Sequence, residues 1–188
     1  LQYPTLLSLE PLKRSLRFLW HFAHPDGSFG GLYGSRATRF FCPAGILALS
    51  PYIPEAMSLA LFMDKSIESN NVVTLSAIDE PNLGPMFNSY CWAASLWEKK
   101  KQDNALLIPA ATKEPFRTQF KDAGLLIDKD EGYYTIISTK KGGVTYHFVD
   151  EKLDLLNSGV VITDKNGKWG STQLFGDNDV TCNESTII

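Results

Sequence analysis

Apolar residues in the first hundred positions recur at helical spacing. Leu12, Leu16, Leu19, Trp20 and Ala23 fall at i, i+4, i+7, i+8 and i+11, one stripe of an amphipathic helix, and Pro11 suits its first position. A second apolar segment runs over about 39–50 and is ended by Pro51. A third follows Pro54, with Ala56, Leu59, Ala60 and Met63 on a common face. A fourth is predicted over about 86–100, carrying Tyr90, Ala93, Ala94 and Trp97. The Ser-Asn-Asn run at 69–71 and the stretch 81–85, with a proline at each end, read as connections.

After about Pro109 the period changes. Short runs rich in Val, Ile, Thr and Tyr alternate with turn chemistry, which predicts an antiparallel meander of about five strands. Segments 132–139 and 144–149 flank Lys140-Lys141-Gly142-Gly143, and segments 159–163 and 168–174 flank Asp164-Lys165-Asn166-Gly167, whose Asn-Gly pair is a hairpin signal. Imperfect alternation over 134–138 predicts a strand buried on both faces, as in a sandwich. The chain therefore reads as α+β in two domains, 1–108 helical and 109–188 an antiparallel β-sandwich segment.

Composition narrows the function classes. With 188 residues, 44% hydrophobic and 21% charged, the chain can bury a sizeable core. A net charge of −3 leaves no basic footprint for nucleic acid, and Lys99-Lys100-Lys101 reads as a solvated helix end. No apolar run reaches the roughly 20 residues that a membrane span needs. Cys42, Cys91 and Cys182 lack metal-ligand spacing, so no metal or other cofactor is expected; Cys42 and Cys91 read as small buried hydrophobes. The first residue is Leu1, and the last ten show no closing element, so the chain reads as a piece of a longer protein with exposed apolar surface.

The chemistry concentrates at 23–36, Ala-His-Pro-Asp-Gly-Ser-Phe-Gly-Gly-Leu-Tyr-Gly-Ser-Arg. A turn at Asp26-Gly27 delivers a glycine-dense loop in which Phe29, Tyr33 and Arg36 supply stacking surface, a phenol and a fixed cation. Arg39 is a second cation in reach. His24 reads as the end of the first helix, interacting with its carbonyls, and Asn88 as a cap of the fourth. Trp20, Trp92 and Trp97 sit at helical spacing and read mainly as core, whereas Trp169 follows the Asn-Gly turn.

Residues 16–31, ending in Asp-Gly-Ser-Phe-Gly-Gly, resemble the repeat of α/α-toroid proteins. Residues 120–149, with Asp-Ala-Gly-Leu at 122–125 and Gly-Tyr-Tyr-Thr-Ile-Ile-Ser-Thr-Lys-Lys-Gly-Gly-Val at 132–144, resemble the start of the β-sandwich that follows the toroid in heparinase II/III-like proteins. The resemblance implies the last part of an incomplete α/α toroid joined to a supersandwich-like segment. It also implies a polysaccharide lyase that cleaves an acidic, uronate-containing glycan by β-elimination, in a periplasmic or secreted setting. That chemistry needs a uronate carboxylate neutralised, its α-proton removed and the leaving oxygen protonated. On this resemblance Tyr33 and His147 are the catalytic candidates, with Arg36, Arg39, Asn88, Tyr90 and Phe29 as substrate-binding candidates; acidic polysaccharide or oligosaccharide is the implied partner. Two further readings stand beside it: a non-catalytic carbohydrate-binding or exopolysaccharide-assembly protein of the same architecture, and a terpenoid cyclase or prenyltransferase-like toroid. The Asn-His pair that many of these lyases carry on the toroid is not visible in this sequence.

Overall fold

A computed structural model describes residues 9–34, 40–97 and 106–173. They form a mixed α+β protein with four α-helices, an antiparallel five-stranded sheet and a two-stranded sheet. The chain divides into two compact units. The helical unit runs to Phe29 and resumes over 38–112; the sheet unit takes 30–37 together with 113–188.

In the helical unit, α1 (Leu9–Trp20) has Glu10 in its first turn and Arg17 in its last, complementing the helix dipole. α2 (Pro43–Leu49) and α3 (Pro54–Glu68) both begin with the proline that needs no intrahelical donor. α2 has no side-chain cap of its own; Ser89 supplies an acceptor instead, 3.2 Å from the Ala44 N–H. α3 closes where Asn70 adopts φ 56°. Leu16, Ala23, Ile53, Ala56 and Leu59 form one buried cluster, and Phe41, Met63 and Val72 a second.

α4 spans Glu80–Trp97, so it starts six residues earlier than the periodicity predicts, and the 81–85 stretch is helix rather than connection. Pro81 lies in the first turn, where the backbone N–H has no partner to lose, and Pro85 forfeits a single bond near the start. Only Met86 and Ser89 of α4 are buried. Its tryptophan and cysteine therefore depart from the core reading: Trp92 is 53% exposed, and Cys91 is an exposed free thiol, as is Cys42 ahead of α2. Cys182 lies outside the described residues.

The sheet unit orders β1 (Phe116–Phe120), β2 (Leu125–Asp130), β3 (Tyr133–Ser138), β4 (Val144–Val149) and β5 (Lys152–Asn157) as a meander. Ile127, Ile136 and Tyr146 stand in one cross-strand row and are at most 2% exposed. Burial along β3 alternates strictly, half-buried then buried, so the expectation of a strand covered on both faces is not met. Thr135 on its outer face meets polar neighbours, not a second apolar layer. β1, β2 and β5 escape the periodicity: Arg117-Thr118-Gln119 and Asp128-Lys129-Asp130 dilute the apolar signal, and β5 is exposed throughout. β6 (Val161–Thr163) and β7 (Trp169–Ser171) form the hairpin that Asn166-Gly167 announces, its turn held by Asp164 Oδ1 accepting from the Asn166 and Lys168 amides. Trp169 is 69% exposed.

Candidate functional site

The glycine-aromatic loop is built in two parts. In 23–29, a bridge joins Ala23 to Phe29 and the His24 amide donates to the Ser28 carbonyl, closing a tight turn with Gly27 at φ 82°. Asp26 Oδ1 accepts from both the Ser28 amide (2.9 Å) and the Ser28 hydroxyl (2.6 Å). Because the single hydroxyl proton goes to Asp26, the 2.8 Å contact of His24 Nδ1 with Ser28 Oγ has the imidazole as donor. A histidine that donates to the serine cannot take its proton, so His24, Ser28 and Asp26 are not a nucleophile set. They are a buried staple. His24 bonds this turn through Nδ1, and His21 Nδ1 donates to a helix carbonyl, that of Arg17, at 2.7 Å. Burial lowers the His21 pKa, and that carbonyl opposes the shift.

The second part, 30–34, is held by the sheet. Tyr146 Oη accepts from the Leu32 amide at 3.0 Å, and Lys141 Nζ donates to the carbonyls of Leu32 (3.0 Å) and Gly34. A Cβ on Gly31 would fall 2.6 Å from Tyr146 Cζ, so this close approach admits only glycine. Tyr33 packs edge-on against Tyr146, ring centroids 5.1 Å apart, and is 6% exposed.

His147 lies on the opposite face from Tyr146, as strand alternation requires. Its Nδ1 is 2.7 Å from Thr135 Oγ1, its cross-strand partner, and its ring centroid is 5.7 Å from that of Tyr133. On the same face Arg117 grips Asp128 through Nε (2.9 Å) and Nη2 (3.0 Å), and the Tyr133 hydroxyl donates to Asp128 at 3.1 Å. The guanidinium holds the Asp128 carboxyl below its ordinary range, against partial desolvation and with help from Tyr133. Desolvation, then the bond to Asp128, raises the Tyr133 phenol, which keeps it a proton donor. Tyr133, Thr135, Arg117 and Asp128 were not among the sequence candidates. The signal that finds them is register: once β2, β3 and β4 are paired, 128, 135 and 147 share a row and a face.

The two catalytic candidates, Tyr33 and His147, thus stand on opposite faces of the sheet. Phe29 packs on Phe41 at 5.3 Å inside the second apolar cluster. Asn88 is exposed in the middle of α4, not at its cap. Tyr90 lines a separate cavity of the helical unit. Arg36 and Arg39 lie outside the described residues. Among the described residues no group of three or more His, Cys, Asp or Glu side chains is placed to hold a metal ion, and no helix is long and apolar enough to cross a membrane. No family model, curated protein or solved structure matches the chain significantly.

Proposed function

We propose that this protein is a polysaccharide lyase of the heparinase II/III-like kind, a toroid-plus-sandwich architecture that cleaves an acidic glycan by β-elimination. The observation that carries the reading is His147 on a half-buried polar sheet face, its Nδ1 engaged by Thr135 so that Nε2 is the nitrogen offered to a substrate. The order of the chain, helices first and antiparallel sheet second, agrees with it. In this reading His147 donates its Nδ1 proton to Thr135 Oγ1, and Nε2 removes the proton α to the uronate carboxylate. The carbanion electrons form the new C–C double bond as the glycosidic C–O bond breaks, and the leaving oxygen takes up a proton. Tyr133, whose phenol stays protonated beside the histidine, suits the donor side of that exchange better than the buried Tyr33.

A second reading, a carbohydrate-binding protein without catalysis, is favoured by one observation: Tyr33 and His147 do not share a face, so no Tyr–His acid–base pair is assembled from them. Ultraviolet absorbance of unsaturated uronate products separates the two, with alginate, heparan sulfate, chondroitin and acidic exopolysaccharides as substrates. The lyase reading expects absorbance that falls by roughly 100-fold or more in His147→Gln and survives Tyr33→Phe. Binding without any absorbance supports the second reading.

A further inference from the structure

We propose that the helical unit carries a binding site for a small organic ammonium ion with an apolar or aryl body, in a cavity of about 370 Å³ bounded by α2, α3 and α4. This goes beyond the lyase reading and does not depend on it. Leu47, Ile67 and Trp97 supply apolar walls, and alanines on α3 and α4 leave the space between them. Two polar groups set the chemistry. Tyr90 Oη is shielded from solvent and has no hydrogen-bond partner among the described residues. A hydroxyl buried without a partner is costly, so a ligand that bonds it recovers that cost on binding. Asp64 lines the same cavity at its exposed rim, and among the described residues no cationic side chain lines it.

Each alternative ligand class meets a specific obstacle. A uronate or other carboxylate would face Asp64 with no compensating cation among the described lining residues, and Glu68, close enough to act on Asp64, adds a second negative charge. A neutral sugar needs many polar partners, and these walls offer few. A peptide helix is too large for the volume. An ammonium group answers Asp64, and its N–H bonds the Tyr90 oxygen. Desolvation, then the Asp64–Glu68 repulsion, raises the Asp64 pKa, and burial, then Cys42, raises that of Tyr90, so the phenol is kept protonated and an incoming cation stabilises the carboxylate.

Isothermal titration calorimetry of the full chain with 2-phenylethylammonium tests the site, with 2-phenylethanol and 3-phenylpropanoate as shape-matched controls. The amine should bind, the carboxylate should not, and Asp64→Asn should weaken the amine by about tenfold or more. Asp64 is exposed, so this variant should keep the wild-type melting temperature. Tyr90→Phe should weaken binding several-fold while leaving the unliganded protein at least as stable, since the hydroxyl it removes bonds nothing among the described residues. No amine binding, equal affinity for the alcohol, or amine affinity unchanged in both variants would overturn the proposal; a clear loss of unliganded stability in Tyr90→Phe would overturn its premise.

Discussion

Two consecutive stretches of one glycine-rich loop are held in opposite ways. Over 23–29 every anchoring bond among His24, Asp26 and Ser28 spans four residues or fewer, and one longer link, Asn71 Nδ2 to the Asp26 carbonyl at 2.8 Å, adds to them. Over 30–34 one local bond, from the Gly34 amide to the Gly31 carbonyl at 3.0 Å, is joined by side-chain anchors from Tyr146 and Lys141, 107 to 114 residues away in sequence. The first stretch shapes itself, whereas the second borrows its shape from a sheet that must already be paired. This difference explains why the division into units falls between Phe29 and Gly30 and not at either end of the loop. It also sets where the aromatic residues go: Phe29 enters the core of the helical unit and Tyr33 packs on Tyr146 in the sheet unit.

The largest effect should come from Gly31→Ala. The new methyl meets Tyr146, which is 2% exposed and cannot yield, so we expect a loss of about 2–3 kcal/mol in urea unfolding. Hydrogen exchange should rise over 125–148 and stay unchanged over 23–29; a uniform rise would break the distinction between the two stretches. Ser28→Ala reverses the pattern. It leaves the His24 ring without its serine partner, costing about 2 kcal/mol, with faster exchange confined to the local turn. Tyr146→Phe keeps the packing but deprives the Leu32 amide of its acceptor, and about 1 kcal/mol should be lost.

Smallest is the Arg117–Asp128 pair, a cross-strand contact on the half-exposed sheet face. Arg117→Gln should cost about 0.5 kcal/mol at neutral pH. The folded Asp128 pKa lies below the ordinary 3.8, so the pair's contribution is present above that value and is lost as pH falls through the folded one. Wild type and variant should therefore converge in acid unfolding; a gap that persisted at low pH would assign the effect to the arginine stem packing instead.

Legibility followed the range of the interactions. α1 and α3 were visible because their apolar stripes coincide with the faces they bury, and β4 matched its predicted bounds, 144–149. α4 was misplaced at its start because two prolines suggest a connection, yet Pro81 lies in the first turn, where its missing donor has no intrahelical acceptor, and Pro85 forfeits one bond only. β5 carries three exposed leucines and resembles a core strand only in composition. For the site, His147 was legible as a residue type in a strand, and its partner Thr135 was not, since twelve residues and a change of direction separate them. Arg117, Asp128 and Tyr133 became a cluster only through the register of β1, β2 and β3.

By itself, then, the chain determined its helical first half, its antiparallel second half, the Asn-Gly hairpin and the self-stapled turn at Asp26-Gly27, because each rests on periodicity or on bonds between near neighbours. Tertiary structure alone decided that Tyr33 is buried, that His147 faces away from it, and that Tyr90, beside Asp64, lacks a hydrogen-bond partner among the described residues. Those outcomes depend on which elements meet and in what register, and spacing along the chain carries no record of either.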